Sequence, residues 1–261
     1  MQIEFIRNAT LILHFDGKAV LVDPMLAKKG AIPCFSFFRH QPRRNPTVAL
    51  PSNAHDSLSK VTHALITHCK RGHADHLDRA GAGFLRSNSI PTYCRVEDAA
   101  YLRNKGIDAI PLDTRIKQSF LGGYITPIPA KHGHGWISSV MGRGVGYMIE
   151  PTGNPSVYIA GDTVLTHDVR NALTGLAPDI AIVAAGNASV DLGKPILMSL
   201  EEVLEFTALA PGIVVANHLE ALNHCPLSRS QLKSTAKLAG LDHKMRIPQD
   251  GETIDFSTPL N

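Results

Sequence analysis

The amino-acid sequence predicts a mixed α/β fold in which strands and helices pack in separate layers. β-prone residues cluster in three short segments near the N-terminus, and Asp16-Gly17 between two of them is typical of a hairpin turn. Further along, short apolar segments alternate with segments that carry helical patterns and caps. The 261 residues exceed the usual size of a single core, but a layered sandwich of two similar halves can hold them. We therefore predict one domain, residues 1–261.

The individual elements follow from the same signals. Strands are predicted at 3–6, 10–15, 19–22, 61–67, 157–159, 179–184 and 212–216. One helix is predicted at 97–104, and another at 199–209 begins with a capping box formed by Ser199 and Glu202. Ser228 is predicted to cap a final helix that ends near Gly240. The glycine-rich segment 142–146 is predicted to be a turn, because it lacks the Lys-Ser/Thr that completes a phosphate loop.

Composition favours an intracellular enzyme that acts on a small molecule. The formal charge of +3 is too small to indicate a nucleic-acid binder. The four cysteines lie far apart and form no CxxC pair, so neither a disulfide framework nor a thiolate zinc cluster is indicated. The sequence shows no secretory signal pattern and no apolar run of about 18 residues, which predicts a cytoplasmic protein without a membrane span. A homo-oligomer is compatible with these features.

The segment 67–78 has the signature of a metal site. It places His68, His73, Asp75 and His76 within nine positions, directly after the apolar run 64–66. Imidazole and carboxylate are preferred ligands of borderline divalent ions, and a strand that runs into a loop is a rigid platform for them. Three other apolar segments also end in a candidate ligand. These ligands are His132, Asp162 and His218.

The order of these candidate ligands at strand ends along the chain resembles that of the metallo-β-lactamase superfamily. The likeness extends over the whole chain and includes the opening segments 8–13, 15–18 and 21–24. Within the superfamily, the start of the chain is most similar to the L-ascorbate-6-phosphate lactonase-like metal-dependent hydrolases. The resemblance implies a four-layer αββα sandwich, with the metal ligands at strand ends along one edge.

The spacing of the first two histidines departs from the family motif HxHxDH. Four residues separate His68 from His73, and two registers are possible. In the first, both histidines are ligands and Asp75-His76 is the DH pair. In the second, Lys70 and Gly72 occupy motif positions and two ligands are lost. We favour the first register, because it keeps every ligand type intact.

The resemblance also implies the ligand set of a binuclear centre. One divalent ion would be held by His68, His73 and His132, and the other by Asp75, His76 and His218, with Asp162 bridging the two. Such a set suits Zn²⁺ best, with Mn²⁺ or Fe²⁺ as alternatives. Asp75 is the predicted catalytic residue, since it would orient a metal-bridged hydroxide and relay its proton.

Other residues are predicted to surround this centre. His134 is a candidate substrate contact or a substitute ligand for His132, and His224 is a candidate substrate contact that could equally be structural. Asp23 is predicted to orient a ligand, although an Asp-Pro turn alone would explain it. In the proline-rich segment 27–56, Arg43 and Arg44 are predicted to bind an anionic substrate under a lid, although a solvated loop packed by its own phenylalanines would explain the segment equally well.

The predicted activity is hydrolysis of a lactone, cyclic ester or phosphoester of a small, anionic metabolite. One alternative is a phosphodiesterase or nuclease of the same superfamily, for which the sequence offers only the basic cluster 39–44. A second alternative is a mononuclear iron oxygenase, which needs only three protein ligands. A non-catalytic binding module is the third.

Overall fold

Two seven-stranded sheets form the centre of the computed structural model, which describes residues 1–70 and 72–256. In the first sheet the strand order is β14-β1-β2-β3-β4-β5-β6. The strands are β1 (Gln2–Arg7), β2 (Thr10–Phe15), β3 (Lys18–Val22), β4 (His63–Ile66), β5 (Thr92–Arg95), β6 (Ala109–Leu112) and β14 (Thr253–Asp255). Strands β3 to β6 run parallel, so their carboxyl ends share one edge of the sheet.

The second sheet has the order β13-β12-β11-β10-β9-β8-β7. Its strands are β7 (Gln118–Phe120), β8 (Gly123–Lys131), β9 (Arg143–Pro151), β10 (Val157–Ile159), β11 (Ile180–Ala184), β12 (Ile213–Asn217) and β13 (Met245–Arg246). Strands β10 to β13 are parallel, whereas β7 to β10 are joined by antiparallel pairing. This sheet also gathers several carboxyl ends at one edge.

Helices cover the outer face of each sheet. Helices α1 (Ala54–Leu58), α2 (Arg79–Ser87) and α3 (Val96–Arg103) pack on the first sheet, and α5 (His167–Gly175), α6 (Leu200–Leu209) and α7 (Arg229–Leu238) pack on the second. The short α4 (Ile137–Met141) lies between β8 and β9 in the chain. The inner faces of the two sheets bury a separate core, in which Leu13 and Leu65 join Tyr147 and Ile182. The predicted four-layer αββα sandwich is therefore confirmed.

Most predicted elements are present with small changes in their ends. Both α6 and α7 begin with complete capping boxes, at Ser199 with Glu202 and at Ser228 with Gln231. The segment 142–146 was predicted to be a turn, and this prediction was wrong for residues 143–146. Only Gly142 has a positive φ, of 81°, and Arg143 begins β9, where it pairs with Lys131 of β8. Pairing with a neighbouring strand here overrides the low strand propensity of glycine.

No helix within residues 1–70 and 72–256 is long and apolar enough to cross a membrane.

Candidate metal centre

The four ligand segments predicted from the sequence converge at the carboxyl ends of strands. His68 lies two residues after β4, and His132 directly follows β8. Asp162 lies three residues after β10, and His218 directly follows β12. Because both sheets present these ends to the same edge of the sandwich, the side chains can meet there.

Seven side chains form two adjacent groups at this edge. The first group contains His68, His73 and His132, and the second contains Asp75, His76, Asp162 and His218. Within each group, one donor atom from each residue lies within 4.8 Å of the others, and all seven residues are buried. These are the two sets that the first register of the sequence requires.

Asp162 lies between the two groups. Its Oδ2 atom is 3.1 Å from Nε2 of His76, 3.3 Å from Nε2 of His132 and 3.7 Å from Nε2 of His218. A carboxylate within this reach of both groups can serve two cations at once, because it has two oxygens and about four lone-pair sites. The bridging position predicted for Asp162 is compatible with this geometry.

In the insertion between His68 and His73, the side chains of Cys69 and Lys70 lie outside both groups. The ammonium group of Lys70 lies 3.6 Å from the carboxylate of Asp98, and its carbonyl accepts a hydrogen bond from the backbone N–H of His73 at 3.1 Å. Gly72 has a φ of 97°, a conformation that side-chain-bearing residues rarely adopt, and the chain then returns so that the rings of His68 and His73 lie 4.4 Å apart. Arg71 lies outside the described residues. The side chains are thus placed as the favoured register requires.

Hydrogen bonds fix which nitrogen of each imidazole faces the centre. Nδ1 of His132 donates to the carbonyl of Ile196 at 2.8 Å, which leaves the lone pair on Nε2. Nε2 of His73 donates to the carbonyl of Met141 at 2.9 Å, which leaves the lone pair on Nδ1. Backbone carbonyls therefore orient two of the candidate ligands, and nothing in the sequence near His73 or His132 indicates which carbonyls these are.

Asp23, which was predicted to orient a ligand, forms a hydrogen bond with one further histidine of the groups and is linked through Thr67 to another. It follows β3, and its carboxylate accepts hydrogen bonds from Nδ1 of His76 at 2.8 Å and from the hydroxyl of Thr67 at 2.6 Å. Because the hydroxyl proton of Thr67 is used in this way, its oxygen accepts from Nδ1 of His68 at 3.0 Å. One carboxylate therefore leaves Nε2 free on one histidine from each group.

We expect Asp23→Asn to weaken metal binding by about 10- to 100-fold without removing a ligand, as losses of outer partners of metal-bound histidines do. An amide in this position can present its NH₂ group to the imidazole and disturb the tautomer. Competition with a chelator measures the affinity. Asp56→Asn on the exposed face of α1 is the matched control, and an equal loss in both variants would contradict the orienting role.

Buried polar atoms without hydrogen bonds mark the centre. They include Nε2 of His68, His76 and His218 and one carboxylate oxygen of Asp162, none of which has a hydrogen bond of acceptable geometry. Leaving buried polar atoms unpaired is costly, and few are expected in a folded protein. Four such atoms gathered at one place, each of which offers a lone pair when it carries no proton, fit a site for divalent cations.

The charges within the centre also fit cation binding. Burial alone would lower the pKa of His76 and His218, but Asp162 and neighbouring acids outweigh it and hold both pKa values well above the usual range. The same histidines outweigh burial at Asp75 and Asp162 and hold the pKa of each carboxyl below its usual range. At His132, burial dominates and lowers the pKa to about 4. A cation that bound to the second group would therefore displace protons from His76 and His218.

A cavity of about 380 Å³ opens beside the two groups. Asp75, His73 and His132 form its polar floor, and His224 lines it as well. The rest of its wall is mainly apolar. It consists of Cys34, Phe35, Val140, Met141, Val190 and Ile196, together with Gly72. Its size is at the lower end of the range for small-molecule sites.

The structure separates the weaker sequence candidates. His134 lies outside both groups, with its Nε2 atom 3.1 Å from the carboxylate of Glu202, whereas His132 belongs to the first group. His224 is buried and lines the cavity, with its ring edge-on to Phe35 at 5.1 Å between centroids. The substrate-binding role predicted for His224 stays a prediction with a suitable position.

Arg43 and Arg44 do not reach the cavity. Arg44 donates to the carbonyls of Gly30 and Ala31, and Arg43 donates to the side chain of Gln41. Both side chains are exposed and engaged within their own loop. Their predicted role in binding an anionic substrate has no support from this geometry. The sequence could not show that these arginines lie away from the cavity. Folding, and not the local pattern of residues, decides which side chains of a long loop face a site.

One residue at the centre carried no functional signal in the sequence. Cys225 is buried, and its Sγ atom lies 3.4 Å from Nδ1 of His218 and 4.0 Å from Nδ1 of His224. Burial raises the pKa of this thiol, but the two histidines outweigh burial and lower the pKa to about 7. From the sequence alone, a small buried thiol is the expected interpretation of such a cysteine.

Comparison with known proteins agrees with the geometry. The family described as Beta-lactamase superfamily domain matches residues 18–219. The UPF0173 protein YddR of Bacillus subtilis (strain 168) is 31% identical over 262 residues, which cover 98% of this chain and 100% of that protein. A UPF0173 metal-dependent hydrolase of Azorhizobium caulinodans is 29% identical, with 72% of this chain and 74% of that protein covered.

Two solved structures have the same architecture. An isothiocyanate hydrolase from Delia radicum gut bacteria has a TM-score of 0.89 and 34% identity, with 99% of this chain and 100% of that chain covered. A possible metal-dependent hydrolase from Veillonella parvula DSM 2008 has a TM-score of 0.88 and 28% identity, with 97% and 98% covered.

Proposed function

The chain belongs to the β-lactamase superfamily and is a metal-dependent hydrolase, and from that premise we propose that it hydrolyses small, uncharged, largely apolar electrophiles at a binuclear centre. Isothiocyanates are the first class to test, and lactones and cyclic esters are the second. The observation that carries this proposal is the apolar wall of the cavity beside the ligand groups.

The proposed centre uses both groups of side chains. His68, His73 and His132 would hold one cation, Asp75, His76 and His218 would hold another, and Asp162 would bridge them. A set of imidazoles and carboxylates suits Zn²⁺, with Mn²⁺ or Fe²⁺ as alternatives. When bound, such cations supply Lewis-acid activation of water and stabilise negative charge on the substrate.

The protein's own groups orient the reaction. Asp75 belongs to the second group and also lines the cavity, so its carboxylate can orient an attacking water and accept a proton from it. His224 lines the same cavity and can donate a hydrogen bond to a nitrogen or oxygen of the substrate. The apolar side chains exclude bulk water, which strengthens both interactions.

An isothiocyanate suits these groups. The molecule is uncharged and its central carbon is electrophilic, so the protein needs no cationic side chain to bind it. Addition of water to that carbon, followed by cleavage of the carbon–nitrogen bond, gives an amine and carbonyl sulfide, and the nitrogen takes up both protons of the water. The solved neighbour described as an isothiocyanate hydrolase supports testing this class first.

A phosphoester is the third candidate, because a second cleft that His73 also lines carries several cationic side chains. This cleft has a volume of about 470 Å³, and its charged lining residues are Lys70, Arg95, Arg143 and the acidic Glu97. Two of these cations are already engaged, since Arg95 makes two hydrogen bonds with Asp98 and Lys70 lies 3.6 Å from the same carboxylate. We therefore rank phosphoesters below uncharged substrates.

A direct comparison of substrates tests the proposal. Protein purified without added metal is analysed for metal content and then assayed with 2-phenylethyl isothiocyanate, γ-butyrolactone and bis(p-nitrophenyl) phosphate. We expect the isothiocyanate to be hydrolysed fastest and chelation to abolish its turnover. Faster hydrolysis of the phosphodiester would overturn the preference for uncharged substrates.

We expect Phe35→Ala to raise KM for 2-phenylethyl isothiocyanate up to about tenfold. The phenyl group of the substrate would lose its packing against the ring of Phe35, and a well-packed aromatic pair contributes about 0.5–1.5 kcal/mol. Metal content should not change, since Phe35 contacts no ligand directly. Phe38→Ala is the matched control, because Phe38 lies in the same segment but is 92% exposed and does not line the cavity. Equal effects of the two variants would remove Phe35 from the substrate site.

A further inference from the structure

The outer nitrogen of His218 has an unusual partner. In the other four histidines of the two groups, the nitrogen that points away from the centre donates to an oxygen atom, which belongs to a carbonyl, a hydroxyl or a carboxylate. In His218, Nδ1 instead faces the sulfur of Cys225 at 3.4 Å. Within the described residues, no oxygen atom forms a hydrogen bond with this nitrogen.

The surroundings of Cys225 hold its sulfur in this place. The residue is 6% exposed, and its backbone N–H donates to the carbonyl of Leu222 at 3.2 Å. Gly186 faces it, and a Cβ atom at that glycine would lie 3.1 Å from the sulfur and 2.2 Å from the carbonyl oxygen of His218. The absence of a side chain at Gly186 therefore leaves the space that brings the loops of His218 and Cys225 together.

The tautomer of His218 depends on this contact. To offer a lone pair to a cation, its Nε2 atom must be unprotonated, and the proton of the neutral ring must then lie on Nδ1. A proton on buried Nδ1 needs an acceptor, and Sγ of Cys225 is the atom within reach.

We propose that Cys225 is a positioning residue, which accepts a hydrogen bond from Nδ1–H of His218 and so directs Nε2 of that ring toward Asp75 and Asp162. This inference rests on the proposed role of His218 as a ligand. The Nε2 atom lies 3.5 Å from the carboxylate of Asp75 and 3.7 Å from that of Asp162, in the second group. The thiol takes the part that Asp23 takes for His76.

Three substitutions separate this role from simple packing. Cys225→Ser keeps a small acceptor, Cys225→Ala removes both the acceptor and volume, and Cys225→Val keeps volume without an acceptor. We expect Cys225→Ala and Cys225→Val to weaken binding of the second Zn²⁺ by about 10- to 100-fold, and Cys225→Ser to recover part of this loss. Cys94→Ala is the control, since Cys94 is a buried thiol in β5 on the other sheet.

Two measurements decide the question without any substrate. Chelator competition gives the affinity for each Zn²⁺, and nitrogen NMR of the Zn²⁺-loaded protein shows which ring nitrogen of His218 carries the proton. We expect a protonated Nδ1 in the parent protein and a weakened preference in Cys225→Ala. If Cys225→Val binds Zn²⁺ as tightly as the parent protein does, the proposal is overturned, because packing alone would then suffice. If Cys225→Val does not fold, equal affinities of Cys225→Ser and Cys225→Ala would overturn it.

The ligand role of His218 is checked in the same titration. His218→Ala should lose the second Zn²⁺ outright. If His218→Ala binds two ions as tightly as the parent, the proposed binuclear centre fails, and the role of Cys225 fails with it. If His218→Ala loses an ion but the Cys225 variants do not, only the inference about Cys225 fails.

Discussion

Replacing Asp162 by Ala should lower the metal content from about two ions to one or fewer and reduce kcat/KM by about 10³-fold or more, as the loss of a metal ligand at a hydrolytic centre implies. The carboxylate lies within 3.1–3.7 Å of histidine nitrogens from both groups. It would therefore offset the repulsion between two dications, whereas Asp75 has its ion-pair contacts, at 3.7 Å and 3.5 Å, with histidines of the second group.

The isosteric change Asp162→Asn sharpens this test. It keeps an oxygen in place but removes the negative charge, so it should also lose the second ion. Elemental analysis of purified protein gives the metal content, and circular dichroism checks the fold. Asp168→Asn in the first turn of α5 is the control, since this residue lies six positions away and outside both groups. Two full equivalents of metal in Asp162→Asn would reject the bridging role.

The convergence of the candidate ligands was predictable because the sequence marks strand ends. An apolar run followed at once by His or Asp puts that side chain at the edge of a sheet, as His132 and His218 show. The family resemblance then supplied the pairing into two groups, which strand periodicity cannot give. The outer partner Asp23 was also predictable, because it follows β3 directly in the same pattern.

The remaining parts of the site could not be predicted from local pattern. The carbonyls of Met141 and Ile196 belong to residues with no polar side chain, so their contacts with His73 and His132 arise only from the folded backbone. The short helix α2 was not predicted, because Gly81 and Gly83 lower its helix propensity. Its packing on the first sheet, through Ala82 and Leu85, compensates for that loss.

The basic side chains illustrate a different limit. A cluster of arginines in a long loop suggests an anion-binding lid, yet Arg44 donates to two carbonyls of its own segment. Of that loop, the apolar Phe35 reaches the cavity instead. The sequence thus shows where cationic residues lie along the chain. It does not show which side chains folding brings to the cavity, and only those can contact the substrate.

The final prediction concerns the four-residue insertion. We expect His73→Ala to remove one metal ion and to lower kcat/KM by about 10³-fold, whereas Lys70→Ala should leave both almost unchanged. An imidazole donates a lone pair, but an ammonium has none and opposes a nearby dication. The structure already places His73 with His68 and His132 and turns Lys70 toward Asp98.

The two variants form a matched pair, because the residues lie only three positions apart and both changes truncate to Ala. Loss of Lys70 should cost little stability, since its side chain is largely exposed and buried Asp98 keeps two hydrogen bonds from Arg95. Metal analysis and kcat/KM for the best substrate are measured on both proteins. A loss of metal in Lys70→Ala, with retention in His73→Ala, would reverse the register. The second group would then lose its support, because Asp75 and His76 are placed by the same return of the chain that brings His73 to the centre.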